Sequence, residues 1–148
     1  MKIESRLKEL GVELRAPGKP SGNYVSYVRT GNLLYLSGAG PGAKGKVGLD
    51  FTTEEAAKFA RNVAIQHIAV IKDALGDLDR VAGFVKVLGM VNAPPEFEQH
   101  PAVMNGYSDF IVEVFGDRGR HARSAVGMAS LPSGIPVEVE AIVEVAPA

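Results

Sequence analysis

Three sets of residues in this chain have types and spacings that could do chemistry. The first is glycine-rich. Gly40-Pro-Gly-Ala-Lys-Gly45 fits the pattern G-x-G-x-x-G, and with Lys46 it fits the first seven positions of a phosphate-binding P-loop. Such loops work because a helix begins directly after them, so that its free N–H groups and dipole hold the phosphates. Here Val47-Gly-Leu-Asp-Phe51 intervenes, Val47 stands where a magnesium-binding hydroxyl is needed, and no acidic residue follows at the ribose-gripping distance. The stretch therefore reads as a hairpin loop. The second set is His67, His100 and His121. No two of them have the i,i+4 or short-loop spacing that makes imidazoles converge, so no metal site is expected. His67 falls on an apolar helical stripe and reads as a core histidine with a satisfied ring. The third set is Arg123, at the mouth of an apolar strand, and Glu138, on the strand that returns from it. A planar guanidinium beside an apolar cleft can grip a carboxylate through two parallel hydrogen bonds; the plainer reading is an arginine lying over apolar surface.

These groups must be positioned by the elements around them. Ser5 to Leu10 is a short helical pattern ended by Gly11, and Arg15-Ala-Pro-Gly-Lys-Pro-Ser-Gly22 is a Pro/Gly-punctuated connection, so residues 1–21 read as an N-terminal arm. Residues 22–148 read as one domain. Tyr24 to Arg29 and Leu33 to Ser37, joined by Thr30-Gly-Asn32, form a hairpin signature. From Thr52 or Thr53 a helical pattern runs to Leu75 before Gly76, with Phe59, Ala60, Val63, His67, Ile68, Ile71, Ala74 and Leu75 on one stripe. Phe84 to Val91 is a strand ended by Asn92-Ala-Pro-Pro95. A second amphipathic helix runs from Glu96 or Pro101 to Phe115, and Ser124 to Ala129 and Val137 to Val145 are strands. On the last strand the odd-numbered positions Val137, Val139, Ala141, Val143 and Val145 share one face, while Glu138, Glu140, Ile142 and Glu144 share the other. The order ββ(β)αβαββ predicts an α+β fold, a largely antiparallel sheet with two helices on one face. The apolar strand positions exceed what two helices can cover, which predicts an interface with further copies.

Composition narrows the classes. The chain has 148 residues and no cysteine, which excludes a disulfide framework, a thiolate metal site and a cysteine nucleophile, and suits a reducing compartment. Sixteen basic against seventeen acidic residues leave a net charge of −1, which argues against nucleic acid as a partner. No apolar leader or membrane span is legible, so a cytoplasmic location and no membrane partner are expected.

The run Ala122-Arg-Ser-Ala-Val126, then Leu131-Pro132, then Val137-Glu-Val-Glu-Ala-Ile142 resembles the C-terminal signature of the Rid family, the YjgF-type reactive intermediate deaminases also labelled endoribonuclease L-PSP. Gly22-Asn-Tyr-Val25 and Gly31-Asn-Leu-Leu-Tyr-Leu-Ser-Gly38 are similar to that family's N-terminal hairpin. The resemblance spans Gly22 to Val145, and the N-terminal arm with Gly119-Arg-His-Ala-Arg-Ser-Ala-Val-Gly127 marks a divergent branch. It implies a chorismate-mutase-like fold and a homotrimer with three inter-subunit clefts. It further implies that Arg123 binds the carboxylate of a 2-imino or 2-enamino acid such as 2-aminoacrylate, and that Glu138 orients the attacking water. Tyr24, Ser37, Gly38 and Asn105 match substrate-contacting positions, and Ala125 stands where the family commonly has cysteine. An iminium carbon is already electrophilic, so no metal or organic cofactor is called for. The expected activity is hydrolysis to a 2-oxo acid and ammonia. The alternatives are a non-catalytic protein that binds small carboxylate metabolites and the endoribonuclease of the family label.

For the Gly40–Lys46 loop, calorimetry with magnesium-ATP is expected to show no binding. Magnesium-dependent ATP binding that is lost in Lys46→Ala would overturn this reading.

Overall fold

The alternation at the C-terminal end of the chain builds the middle of the sheet. In the computed structural model, which describes residues 1–147, Val137–Val145 forms a strand whose five odd-numbered residues are buried, while Glu140 and Glu144 on the other face are exposed. The elements in chain order are α1 (Lys2–Glu9), β1 (Tyr27–Thr30), β2 (Leu33–Ala39), α2 (Thr53–Leu75), β3 (Val81–Asn92), α3 (His100–Phe115), β4 (Ala122–Met128) and β5 (Val137–Val145). Short 3₁₀ turns lie at Leu78–Arg80, Gly116–Gly119 and Pro132–Gly134. The strand order is β1-β2-β5-β3-β4. All pairings are antiparallel except β3 with β4, which α3 connects as a crossover.

The differences from the sequence reading have local causes. Pairing in the hairpin begins at Tyr27 with Leu36, so Tyr24 to Ser26 lead into the strand and are not part of it. The optional third strand before α2 is no strand: Val47 and Phe51 form only an isolated bridge, because Lys46 O gathers the N–H groups of Asp50 and Phe51 in a turn. β3 is longer than expected, from Val81, and β4 starts at Ala122. The arm's helix begins earlier, at Lys2, and it is no loose appendage: Leu7 is buried in the core, and Arg6 Nε donates to Glu113 O on α3.

Helix α2 starts on a capping box, with Glu55 N–H donating to Thr52 Oγ1 and Thr52 N–H to Glu55 Oε1, and it stops at Gly76 with φ of +78°. It crosses α3 at Gly106, where a methyl group would fall inside the van der Waals shell of the Ala57 carbonyl oxygen. That close approach lets two helices cover one face of the sheet. The other face keeps Tyr35 and Val126 exposed, and Val28 beside Tyr35 is exposed as well.

One polar pair is set into the core. His67 on α2 is 1% exposed; its Nδ1 accepts from the Tyr107 hydroxyl of α3 at 2.7 Å, and its Nε2–H donates to Ser37 O of β2 at 3.1 Å. Because Ser37 O can only accept, the tautomer is fixed as Nε2–H. Burial holds the imidazole down to about 4 from its ordinary 6.5, against the smaller opposing pull of the Ser37 carbonyl. Between those two values the unfolded chain takes up a proton that the folded chain refuses, so this contribution to stability is whole above 6.5 and declines as pH falls toward 4. The gap corresponds to about 3 kcal/mol. In urea unfolding between pH 7 and pH 4, the stability advantage of wild type over His67→Gln is expected to shrink by roughly that amount; a difference independent of pH would show that the ring is not held neutral.

Candidate active site

The bulge in β2 opens the site. Between Leu36, which pairs with Ala141, and Ala39, which pairs with Val139, β2 carries an extra residue, so Ser37 and Gly38 leave the regular ladder. The His67 contact draws the Ser37 carbonyl toward α2, and in a planar trans peptide the Gly38 N–H then points the opposite way. The Ser37 hydroxyl donates to Val25 O at 2.6 Å, which ties down the segment that carries Tyr24. A Cβ at Gly38 would meet the Glu138 carboxylate, so glycine here lets that group lie against the backbone.

Tyr24, Ser37, Gly38 and Glu138 line one cleft of about 1230 Å³. Its other walls are Gln66 and Ile65 of α2, the loop Gly40–Lys44 and the arm residues Arg15–Ser21. Gln66 Nε2 donates to Gly40 O at 3.1 Å and so fixes the loop to the helix. Glu138 is half-buried, and burial, with a smaller push from Glu140, raises its carboxyl above the ordinary 4.5. A carboxylate shifted in that direction is better suited to exchange protons near neutral pH than a solvated one.

Arg123 and Asn105 lie elsewhere in the chain. Arg123 pairs with Val87 of β3, which pairs with Ala141 of β5, so the arginine shares the helix-covered face of the sheet. Glu138 pairs with Met90 and belongs to the opposite face. Arg123 and Glu138 therefore do not meet within one chain. Arg123 does meet Asn105: Nη1 donates to Asn105 Oδ1 at 3.0 Å and to Ser108 Oγ at 3.1 Å. Both Nη1 protons are thereby used, while Nε and Nη2 have no acceptor among the described residues, which leaves one two-donor edge of the guanidinium open.

Ser108 and His121 support this arginine, and the sequence reading did not find them. Ser108 Oγ donates to His121 Nε2 at 2.8 Å, and His121 Nδ1–H donates to Gly119 O at 2.6 Å. Ser108 thus gives its own proton to a neutral imidazole while its oxygen accepts from Arg123. Burial lowers the His121 pKa, and the Arg123 charge adds to that. The available signal was helical spacing: Ser108 lies three residues after Asn105, on the same face of α3.

The remaining sets of residues are occupied. Lys46 Nζ donates to Asn92 Oδ1 and to Ala129 O, each at 2.6 Å, so it braces the loop beside a smaller apolar cleft of 620 Å³ that holds none of the expected site residues. Gly45 N–H donates to Gly134 O, and Lys46 N–H to Asp50 Oδ2, so these two donors of the loop are already engaged. The three histidines do not converge: His100 packs on Phe97, while His67 and His121 are bonded as described. Among the described residues no helix is long and apolar enough to cross a membrane.

Comparison with known proteins places this geometry in a family. The model for "YjgF/chorismate_mutase-like, putative endoribonuclease" matches residues 4–140. The crystal structure of Atu1372 from Agrobacterium tumefaciens is 44% identical, with a TM-score of 0.89 over 97% of this chain and 92% of that one. Protein TCP17 of Trypanosoma cruzi is 44% identical over 97% of this chain and 94% of its own. The 2-iminobutanoate/2-iminopropanoate deaminase of Dermatophagoides farinae is 29% identical over 84% of this chain and 88% of its own. With the α+β architecture and with a family model covering nearly the whole length, this chain belongs to the YjgF, or Rid, family.

Proposed function

We propose that the protein hydrolyses 2-imino and 2-enamino acids to 2-oxo acids and ammonia, in clefts shared between the subunits of a homotrimer. The observation that carries this reading is the open Nε–Nη2 edge of Arg123, held in place by the two bonds of Nη1. Such an edge matches the two oxygens of a carboxylate. The family relative that deaminates 2-iminobutanoate and 2-iminopropanoate supports the substrate class.

The separation of Arg123 from Glu138 supports the shared cleft. The arginine and Asn105 of one copy supply the carboxylate grip, and Tyr24, Ser37, Gly38 and Glu138 of the next supply the reacting end. The uncovered sheet face, with Val28, Tyr35 and Ile142 in one row of the ladder, gives the copies an apolar surface to share. In the reaction, an enamine first takes a proton at carbon to become the iminium. Glu138 accepts a proton from water as the oxygen adds to the C=N carbon. The resulting carbinolamine loses ammonia once its nitrogen is protonated, and the carbonyl forms. Water supplies the oxygen, the amine leaves with the electron pair of its bond, and no redox change occurs. Ala125 in place of the family's common cysteine takes no part in these steps.

With freshly generated 2-aminoacrylate, ammonia release is expected in wild type. Arg123→Lys keeps the charge and loses the planar edge, and is expected to lower kcat/KM by at least about tenfold, since hydrogen bonds to charged groups contribute about 1.5–3 kcal/mol. Unchanged turnover in Arg123→Ala would sink the assignment. Wild type is also expected to lose activity on the acid side as Glu138 takes up its proton, at a pH above the ordinary carboxylate value of 4.5. Glu138→Gln should lower kcat more than it weakens binding, and light scattering should give a trimer, a monomer counting against the shared cleft.

A further inference from the structure

In a single copy the cleft extends past Tyr24 and Glu138 along the arm, the loop Gly40–Lys44 and α2. The arm that walls it is fixed at both ends. Leu10, Val12 and Leu14 pack on the core, and the Ser21 N–H and hydroxyl each lie 3.4 Å from the Tyr24 hydroxyl, so the arm ends on a residue of the site itself. Between these anchors Pro17 and Pro20 restrict the backbone, and this stretch places Arg15 and Lys19 on the cleft wall. Lys44, from the glycine-rich loop, lines the same space. None of these three cations has an acidic or hydrogen-bonding side-chain partner among the described residues, although Glu13 also borders the cleft. In the same chain, Lys72 is paired with Glu4 and Arg120 with Asp117. TCP17 and Atu1372 match 97% of this chain, so most of the arm lies within those matches.

We propose that Arg15, Lys19 and Lys44 form an anion subsite at the outer end of the cleft, which selects 2-imino acids whose side chain ends in a second anionic group. The proposal rests on the deaminase reading for the identity of the reacting end. Its test does not. A side-chain carboxylate and a side-chain phosphate share the required chemistry, and the subsite draws either by charge-assisted hydrogen bonds that weaken as salt is added.

The experiment measures binding of stable 2-oxo acids to the wild-type protein by calorimetry at low ionic strength. 2-Oxoglutarate and 2-oxopentanoate have five carbons each and differ at the far end in charge; 3-phosphohydroxypyruvate supplies the phosphate arm. Wild type is expected to bind at least one of the two probes with an anionic far end roughly tenfold more tightly than 2-oxopentanoate, the effect of one hydrogen bond to a charged group. The probe that gains more identifies the terminus. In the double variant Arg15→Ala, Lys19→Ala that ratio should fall toward one; both residues are exposed, so the fold does not depend on them. Equal affinities in wild type, no binding of either probe with an anionic far end, or a preference that survives the double variant combined with Lys44→Ala would each overturn the subsite. A protein that shows the preference yet releases no ammonia from 2-aminoacrylate would keep the subsite and lose the deaminase reading. A protein that releases ammonia and shows no preference would do the reverse.

Discussion

A sheet covered by helices on one face only must do something with the other, and this chain is organised around that constraint. The buried odd-numbered residues of β5 face α2 and α3 and fix which way every neighbouring side chain points, because a register slip of one residue would exchange the two faces. Glu138 is consequently held on the uncovered face, and Arg123, through Val87 and Ala141, on the covered one. Two groups that would act on one small molecule are thus kept apart by the pattern that makes the core. The same pattern leaves Tyr35 and Val126 exposed on the face that carries Glu138. Assembly and chemistry would then follow from one cause, as an uncovered face both seeks a partner and brings the partner's residues to the carboxylate.

The supports behind each half of the site are neutral histidines, and they work in related ways. His67 uses its ring proton to hold the Ser37 carbonyl, and His121 uses its unprotonated nitrogen to take the Ser108 proton. In both cases burial lowers the pKa and keeps the ring uncharged. A charged ring at either place would offer a donor where the present network needs an acceptor. The backbone at Gly38 and the guanidinium of Arg123 are therefore oriented by uncharged imidazoles.

The sequence made the covalent and local features legible and left the spatial ones dark. The alternation in β5, the stripe of α2, the capping threonine and the failure of Gly40–Lys46 as a phosphate loop all depend on neighbours within a few residues, and each was readable. Val81 to Gly83 escaped the strand because β3 has register shifts against β5 there, between Val81 and Gly83 and again between Phe84 and Lys86. Tyr24 was placed inside a strand because its neighbours alternate, yet the ladder starts three residues later. The Arg123–Asn105 contact joins residues 18 apart, and only the crossover from α3 into β4 brings them together. His121 carried no motif, since its partners are a serine on a helix and a backbone carbonyl, neither of which leaves a pattern. The arm's connection carries no periodic signal, since proline and glycine dominate it, whereas Leu7, Val12 and Leu14 bind the arm to the core.

The absence of cysteine is instructive once the two faces are considered together. Ala125 is two residues after Arg123 on β4 and thus shares its face, partly packed against the core, so a thiol there would sit on the arginine's side of the sheet and not beside Glu138. Hydrolysis of an iminium requires a placed carboxylate, a placed water and a group that takes and returns a proton. On the proposed reading, the residues of this chain would provide for each without a nucleophile: Arg123 with its open edge, the polar walls around Gly38, and a carboxylate whose pKa burial raises. The arm adds Arg15 and Lys19 to the wall of the same cleft and supplies none of these groups.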